Sequence, residues 1–249
     1  MTEIIISVES LTGGYDGSVV LDNVSMDVLK GEVLVIVGRS GCGKSTIMNH
    51  MLGLQKPYSG RILFDGTDIW SSVQSLRAAR RRWGVLFQSG ALLGNYTVLE
   101  NVMLPLAEFT DLSRAEMMNV ALSKLEAVGM DHAAFENPLE ISGGMQKRAG
   151  LARAMVLDPE VLFFDEPSAG LDPVTSAELD ETILSVNRAL GTTLIVVTHE
   201  LASIFAISDR VVMLDPVERG IIATGTAREL SRNHGDTRVE AFFGRKIGE

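Results

Sequence analysis

Apolar and polar positions alternate along the first third of the chain in short runs separated by turn residues. The runs are Ile4 to Val8, Val19 to Leu21, Val24 to Leu29, Val33 to Val37, and Ile62 to Phe64 before Asp65-Gly66. Runs of this length bounded by Gly and Asp are strand signals, and their spacing predicts an antiparallel β-meander laid beside the strand at Val33. Val33–Val37 is apolar without interruption and reads as a buried strand, as do Trp83–Phe87, Val161–Phe164 and Thr193–Val197. From Ala91 to Leu157 the period becomes helical, in TVLENVMLPLAEF, SRAEMMNVALSKLEAVGM and MQKRAGLARAMVL. Met103, Met117 and Met118 read as core fillers of these helices, because Met packs irregular gaps. Val211–Leu214 and Ile221–Thr224 predict a closing hairpin followed by a short helix. The polar tail beyond carries one apolar patch, Val239, Phe242 and Phe243, which either tucks in or holds a neighbour.

The pattern predicts an α/β fold in a single domain: a core over 1–90 and 159–235 that includes an antiparallel β subdomain, an inserted α-helical subdomain over 91–158, and a tail over 236–249. With 249 residues, 46% of them hydrophobic, the chain has ample material for a core. Its formal net charge of −10 argues against a nucleic-acid partner, since phosphate backbones are bound by clustered Lys and Arg. The basic run RAARRRW ending at Trp83 reads as a solvated helix face. A single cysteine, Cys42, allows no internal disulfide and suggests a reducing compartment. MTEIIISVES shows no signal peptide, and no apolar run approaches the length of about 18 residues that a membrane helix needs.

The chemistry starts where the Val33 strand ends. GRSGCGKST, with Gly38, Arg39, Ser40, Gly41, Cys42, Gly43, Lys44, Ser45 and Thr46, fits the glycine-rich phosphate loop between a strand and a helix running to Leu54. Such a backbone turns sharply and points successive N–H groups at a polyphosphate; Lys44 adds a point charge and Ser45 a hydroxyl for Mg²⁺, and the helix N-terminus favours the anion. Cys42 reads as a small filler of the loop. Tyr15 is either a platform for a flat base or an ordinary loop aromatic. Gln88 ends a strand on the side where open α/β sheets meet ligand, within reach of Mg²⁺ or an attacking water. Asp165 and Glu166 end another buried strand, where two carboxylates are costly unless a cation or a task holds them. Asp165 reads as the Mg²⁺-side carboxylate, Glu166 as the residue that orients or deprotonates water, and His199 as a contact to the γ-phosphate. Ser142, Gly143 and Gly144 precede a helix and offer amides to a phosphate.

Taken in order, these residues resemble the ATP-binding-cassette ATPase subunits over almost the whole chain. Tyr15 matches the base-stacking aromatic, GRSGCGKS the Walker A loop, Gln88 the Q-loop, ISGGM the signature, VLFFDE the Walker B strand, SAGLD with Asp172 the D-loop, and His199 the switch histidine. The resemblance implies a P-loop NTPase (RecA-like) core, ATP and Mg²⁺ as cofactors, and Asp172 among the residues that hold the nucleotide. It implies a homodimer closed head to tail on ATP, in which Ser142, Gly143 and Gly144 act in trans, and hydrolysis of the γ-phosphate by water. Ile141 and Met145 depart from the usual LSGGQ, and Met145 removes a hydrogen-bonding amide. FQSGALL at 87–93, ENVMLPLAE at 100–108, the LSGGM-type signature and the brief C-terminal extension look like the ATPases of Mla or Mce-type lipid transport systems. That implies a peripheral protein on the cytoplasmic face of the inner membrane, powering phospholipid transport between inner and outer membrane. Its partners would be a permease, an Mce-domain lipid-binding protein and a small STAS-domain regulator. The alternatives are an importer ATPase for amino acids or another small solute and, from another class, a non-transport clamp protein.

Overall fold

A computed structural model describes residues 3–232 and 235–244. The first two residues and the last five of the tail lie outside the described residues. The chain separates into two compact units, one of residues 1–80 with 193–249 and one of residues 81–192.

In the first unit, β1 (Ile4–Tyr15) and β2 (Ser18–Leu29) form a long antiparallel hairpin around the two-residue turn Asp16-Gly17. Strands β4 (Ser59–Phe64) and β5 (Thr67–Asp68) complete a sheet of order β2-β1-β4-β5. The expected meander is therefore present, but as a sheet of its own. Strand β3 (Val33–Gly38), buried along its whole length, pairs instead in parallel with β8 (Thr193–Val197) and β9 (Arg210–Asp215). Its strictly apolar run suits a parallel strand covered on both faces, whereas β1 and β2 alternate buried and exposed positions as a one-sided sheet does. The predicted closing hairpin is β9 with β10 (Gly220–Gly225).

Helix α1 (Lys44–Met51) packs on β1, β2, β3 and β8. It stops short of Leu54 because Gly53 turns left-handed, at φ 64°. Helix α2 (Val73–Arg80) follows, and it contains only the first part of the basic run. Arg80 stays exposed, as a solvated face predicts, and also donates to Gly53 O at the α1 exit at 2.6 Å. Near the end of the unit come α7 (Leu201–Ile207), α8 (Ala227–Ser231) and α9 (Thr237–Phe243). The apolar patch of the tail is tucked in: Val239 and Phe243 are buried, and Phe243 stands edge-on to Phe205 at 6.2 Å. Asp236, at the start of α9, binds Arg238, which holds its carboxyl down at about 2.

In the second unit, β6 (Trp83–Leu86) and β7 (Val161–Asp165) are parallel, and Trp83 meets Phe163 edge to face at 5.9 Å. Between these strands lie α3 (Val98–Phe109), α4 (Arg114–Ala127), a 3-10 turn at Asp131–Ala133 and α5 (Gly143–Ala154). Thr97 with Glu100 and Ser113 with Glu116 form capping boxes that start α3 and α4. Met103 is buried as expected, but Met118 is 38% exposed and Met117 half-buried, so the core-filler reading holds for one of the three. Helix α6 (Pro173–Leu190) leaves β7 through a loop and ends at Gly191. Arg81 and Arg82, the rest of the basic run, bind Phe109 O at 2.5 Å and Glu160 at 2.6 Å. Among the described residues no helix is long and apolar enough to cross a membrane.

One buried group gives this fold a pH dependence. The His50 ring, wholly buried near the end of α1, donates from Nδ1 to Gln55 O at 2.8 Å, and burial lowers its pKa from 6.5. The folded state thus disfavours the imidazolium more than the unfolded chain does, and the stability this ring contributes is present above pH 6.5 and lost as pH falls below it. Urea unfolding of the wild type should lose free energy more steeply between pH 6.5 and 5 than that of His50→Phe; equal slopes would refute the shift.

Candidate functional site

The phosphate loop is built where β3 runs out of sheet partners. Gly38 closes the strand at φ 149°, where an added Cβ would lie 2.4 Å from Leu214 O and 2.5 Å from the Cys42 Sγ. No side chain fits that position, so the loop leaves the strand as bare backbone. Cys42 is fully buried beneath it, and desolvation raises its thiol pKa against the pull of Lys44. Lys44, the first residue of α1, bends back so that Nζ donates to Gly38 O at 2.9 Å and Arg39 O at 3.4 Å. Arg39, Ser40, Gly41 and Ser45 are exposed, while Gly43 and Thr46 are buried. The loop therefore offers a half-buried ammonium, a free-standing hydroxyl and a helix N-terminus together, which is an anion site in composition and geometry.

Two further expected residues belong to the same unit. His199 directly follows β8, and the parallel register of β8 with β3, Val197 beside Ile36, sets it at the strand edge from which the loop also leaves. Its ring is 58% exposed, with Nε2 3.7 Å from Glu200 Oε1. Tyr15, 45% exposed, closes the β1–β2 hairpin and accepts from Asn49 Nδ2 at 3.3 Å, and Gln55 Nε2 donates to Gly14 O. The tip of that hairpin is thus tied to the helix that opens at the phosphate loop.

The other unit carries the remaining candidates. Gln88, exposed, follows β6, and Asp165 and Glu166 end β7; the parallel register Leu86 beside Phe164 sets them at one edge. Glu166 holds a left-handed backbone at φ 48° and opens a turn with Pro167 in which Ala169 N–H donates to Glu166 O at 3.2 Å. Ser142 caps α5, its Oγ accepting from Met145 N–H at 3.3 Å, and Gly143 lies exposed at the first turn. Gly144 is buried at a close approach, since a Cβ there would come within 2.7 Å of Thr175 Cγ2. Asp172 is the N-cap of α6: it accepts from Val174 and Thr175 N–H and from the Thr175 hydroxyl, which with the adjoining backbone donors holds its carboxyl below the usual range.

The structure adds residues the sequence reading passed over. Arg153 of α5 donates to Gly90 O and Ala91 O, both at 2.7 Å, and so fixes the chain just after Gln88. Lys147 of α5 donates to Pro167 O at 2.5 Å and Ala169 O at 2.6 Å. Both lie in a helix whose apolar spacing alone was read, and neither residue type is read as buried on that basis.

A phosphate loop at the end of a parallel strand in one unit, and a carboxylate pair and a glutamine at strand ends in the other, are each features of a nucleotide-binding cassette. The ABC transporter family matches this chain over residues 21–169, and the chain belongs to that family and is an ATPase. It is 40% identical to the "Intermembrane phospholipid transport system ATP-binding protein MlaF" of Haemophilus influenzae, over 98% of this chain and 91% of that protein. It is 39% identical to the "Probable ribonucleotide transport ATP-binding protein mkl" of Mycobacterium leprae, over 98% of this chain and 70% of that protein. Among solved structures, cbiO1 of Clostridium perfringens, part of the ABC transporter complex cbiONQ, superposes with a TM-score of 0.82 at 29% identity, covering 96% of this chain and 99% of that one. The ATP-binding cassette MJ0796, a dimer in a post-hydrolysis state bound to ADP and Pi, gives 0.80 at 28% identity over 89% of this chain and 98% of that one.

Cys42 offers a direct check on the loop. Because the buried, largely protonated thiol is screened on all sides, iodoacetamide at pH 7.5 should label the native protein at least about tenfold more slowly than the urea-unfolded chain, with one equivalent reached only in urea. Rapid native labelling would contradict the packing described.

Proposed function

We propose that this chain is the ATP-hydrolysing subunit of a transporter that moves phospholipid between inner and outer membrane, working as a homodimer at the cytoplasmic face of the inner membrane. The observation that carries the cargo is the 40% identity to the Haemophilus influenzae phospholipid-transport protein over nearly the full length of both chains. The partners follow the same reading: a multi-span permease, an Mce-domain lipid-binding protein and a STAS-domain regulator, with no nucleic acid. Exposed Phe87, Leu93 and Tyr96, on the stretch after β6 that Arg153 and buried Asn101 hold in place, supply an apolar surface for the permease.

Each residue then has a role set by its chemistry. Lys44 and the loop amides bind the β- and γ-phosphates, Tyr15 stacks on the base, and His199 contacts the γ-phosphate. Ser142, Gly143 and Gly144 present a helix N-terminus to the nucleotide held by the partner subunit, and the D-loop with Asp172 lies in the dimer seam. Glu166 orients or deprotonates the attacking water. The donor set expected for Mg²⁺, the Ser45 hydroxyl, the Gln88 amide and the Asp165 carboxylate, is all oxygen, which suits a small hard cation that keeps waters and substrate phosphates in its shell. Mg²⁺ would neutralise charge developing on the phosphoryl oxygens. Glu166→Gln should keep ATP affinity within about twofold while kcat falls about 10²–10⁴-fold, the range for loss of a general base. Undiminished turnover would remove Glu166 from that role.

A second reading, an importer ATPase for a small solute, is favoured by the 39% identity to the protein named for ribonucleotide transport. Gentle affinity purification from solubilised membranes, followed by mass spectrometry of proteins and lipids, separates the two. Recovery of a permease with an Mce-domain protein and bound phospholipid is the expected result; a permease with a soluble solute-binding protein would replace the lipid reading with the importer.

A further inference from the structure

Lys147 is 5% exposed, on a helix where a lysine has every opportunity to reach solvent. Instead its ammonium turns inward and donates to two carbonyls of one loop, Pro167 O and Ala169 O. Desolvation lowers its pKa, and the negative charge of Glu166 opposes that shift. The loop it holds is a double turn: Ala169 N–H closes on Glu166 O, and Leu171 N–H closes on Ser168 O at 3.1 Å. This leaves the carbonyls of Pro167 and Ala169 outside both turns, where one tetrahedral group with several donors can take both. The double turn starts from the left-handed backbone of Glu166, a conformation that is strained for a β-carbon-bearing residue and persists only where the surroundings enforce it. Lys147 also lies three residues, one helical turn, beyond Gly144, so the end of α5 that carries Ser142 and Gly143 and the ammonium that grips the loop move as one body.

We propose that Lys147 is a positioning residue for ATP hydrolysis. By gripping Pro167 and Ala169 it fixes the backbone of Glu166, and it transmits the position of the Ser142–Gly144 helix end to the hydrolytic carboxylate of the same chain. The inference rests on the role given to Glu166 above.

The test compares Lys147→Met, which keeps the stem and removes the ammonium, with Lys147→Arg and Glu166→Gln, in the full chain with Mg²⁺ and ATP. For each, kcat, KM and the dissociation constant of a fluorescent ATP analogue are measured. Lys147→Met should lower kcat about 10–100-fold, the scale of a displaced catalytic group, while nucleotide affinity stays within about twofold. Lys147→Arg, which restores a forked cation, should recover most of the lost turnover. Should Lys147→Met lose its native circular dichroism, Lys147→Gln, which keeps N–H donors without charge, takes its place with the same expected split. Unchanged kcat in a folded Lys147 variant, with Glu166→Gln inactive, would overturn the role of Lys147 alone. So would a proportional loss of affinity and turnover, or no recovery with Arg. Turnover retained in Glu166→Gln as well would instead overturn the reading of Glu166.

Discussion

The segments proposed to bind and hydrolyse ATP after β3, β6 and β7 begin where buried strands end, and there the backbone loses its ladder partners. A buried carbonyl without a donor costs on the order of 1–3 kcal/mol, so each such loop needs a donor from elsewhere. The protein meets this constraint with cations. Lys44 donates to Gly38 and Arg39 after β3, Arg153 to Gly90 and Ala91 after β6, and Lys147 to Pro167 and Ala169 after β7. Hydrogen bonds from a charged donor are stronger than neutral ones, and each of these side chains serves two carbonyls at once. In a chain with ten more acidic than basic groups, 32 against 22, these positive charges are placed on backbone and not spread over the surface.

Two of the three cations come from one helix. α5 starts at Ser142, spans 12 residues, and from its buried face reaches the chain after Gln88 and the chain after Glu166. Gln146, just before Lys147, donates to Pro138 O at 2.8 Å and so also anchors the loop that leads into the helix. Three loops are therefore referred to a single helix. The desolvation that depresses the pKa of Lys147 and Arg153 is the cost of this arrangement, and it is tolerable because carbonyl dipoles replace the lost water.

Much of this was legible beforehand. The uninterrupted apolar runs gave β3, β6, β7 and β8 nearly to the residue, and Gly38 to Ser45 declared the phosphate loop. Other features were not legible, for identifiable reasons. Asp16-Gly17 is a two-residue hairpin signal, yet the apolar runs place Tyr15 between strands, as a base platform or a loop aromatic, where it in fact ends β1. The separation of the two sheets depends on which strands β3 chooses, and pairing partners are a non-local property that periodicity does not report. Arg80 and Arg81 are exposed, as a solvated charge run predicts, but the carbonyl or carboxylate that each guanidinium from Arg80 to Arg82 binds is a partner the run does not report. Lys147 and Arg153 were invisible for the same reason, since no local pattern distinguishes a cation facing water from one facing a loop.

Asp172 shows how far a motif can be carried before geometry must speak. As the last residue of SAGLD it invites reading as a group that reaches toward nucleotide, but both carboxylate oxygens are already engaged: Oδ1 accepts two backbone N–H groups and Oδ2 the Thr175 hydroxyl. The same Thr175 packs at the position where Gly144 has no side chain. Within its own chain Asp172 thus fixes the start of α6, where Thr175 lies against the start of α5. What the segment from Ser168 to Leu171 presents outward is then mostly backbone and small side chains, Ala169 and the exposed Gly170 among them. A loop of that composition can work only through where it is held, and its position is set from two sides, by Asp172 at its end and by Lys147 at its turn.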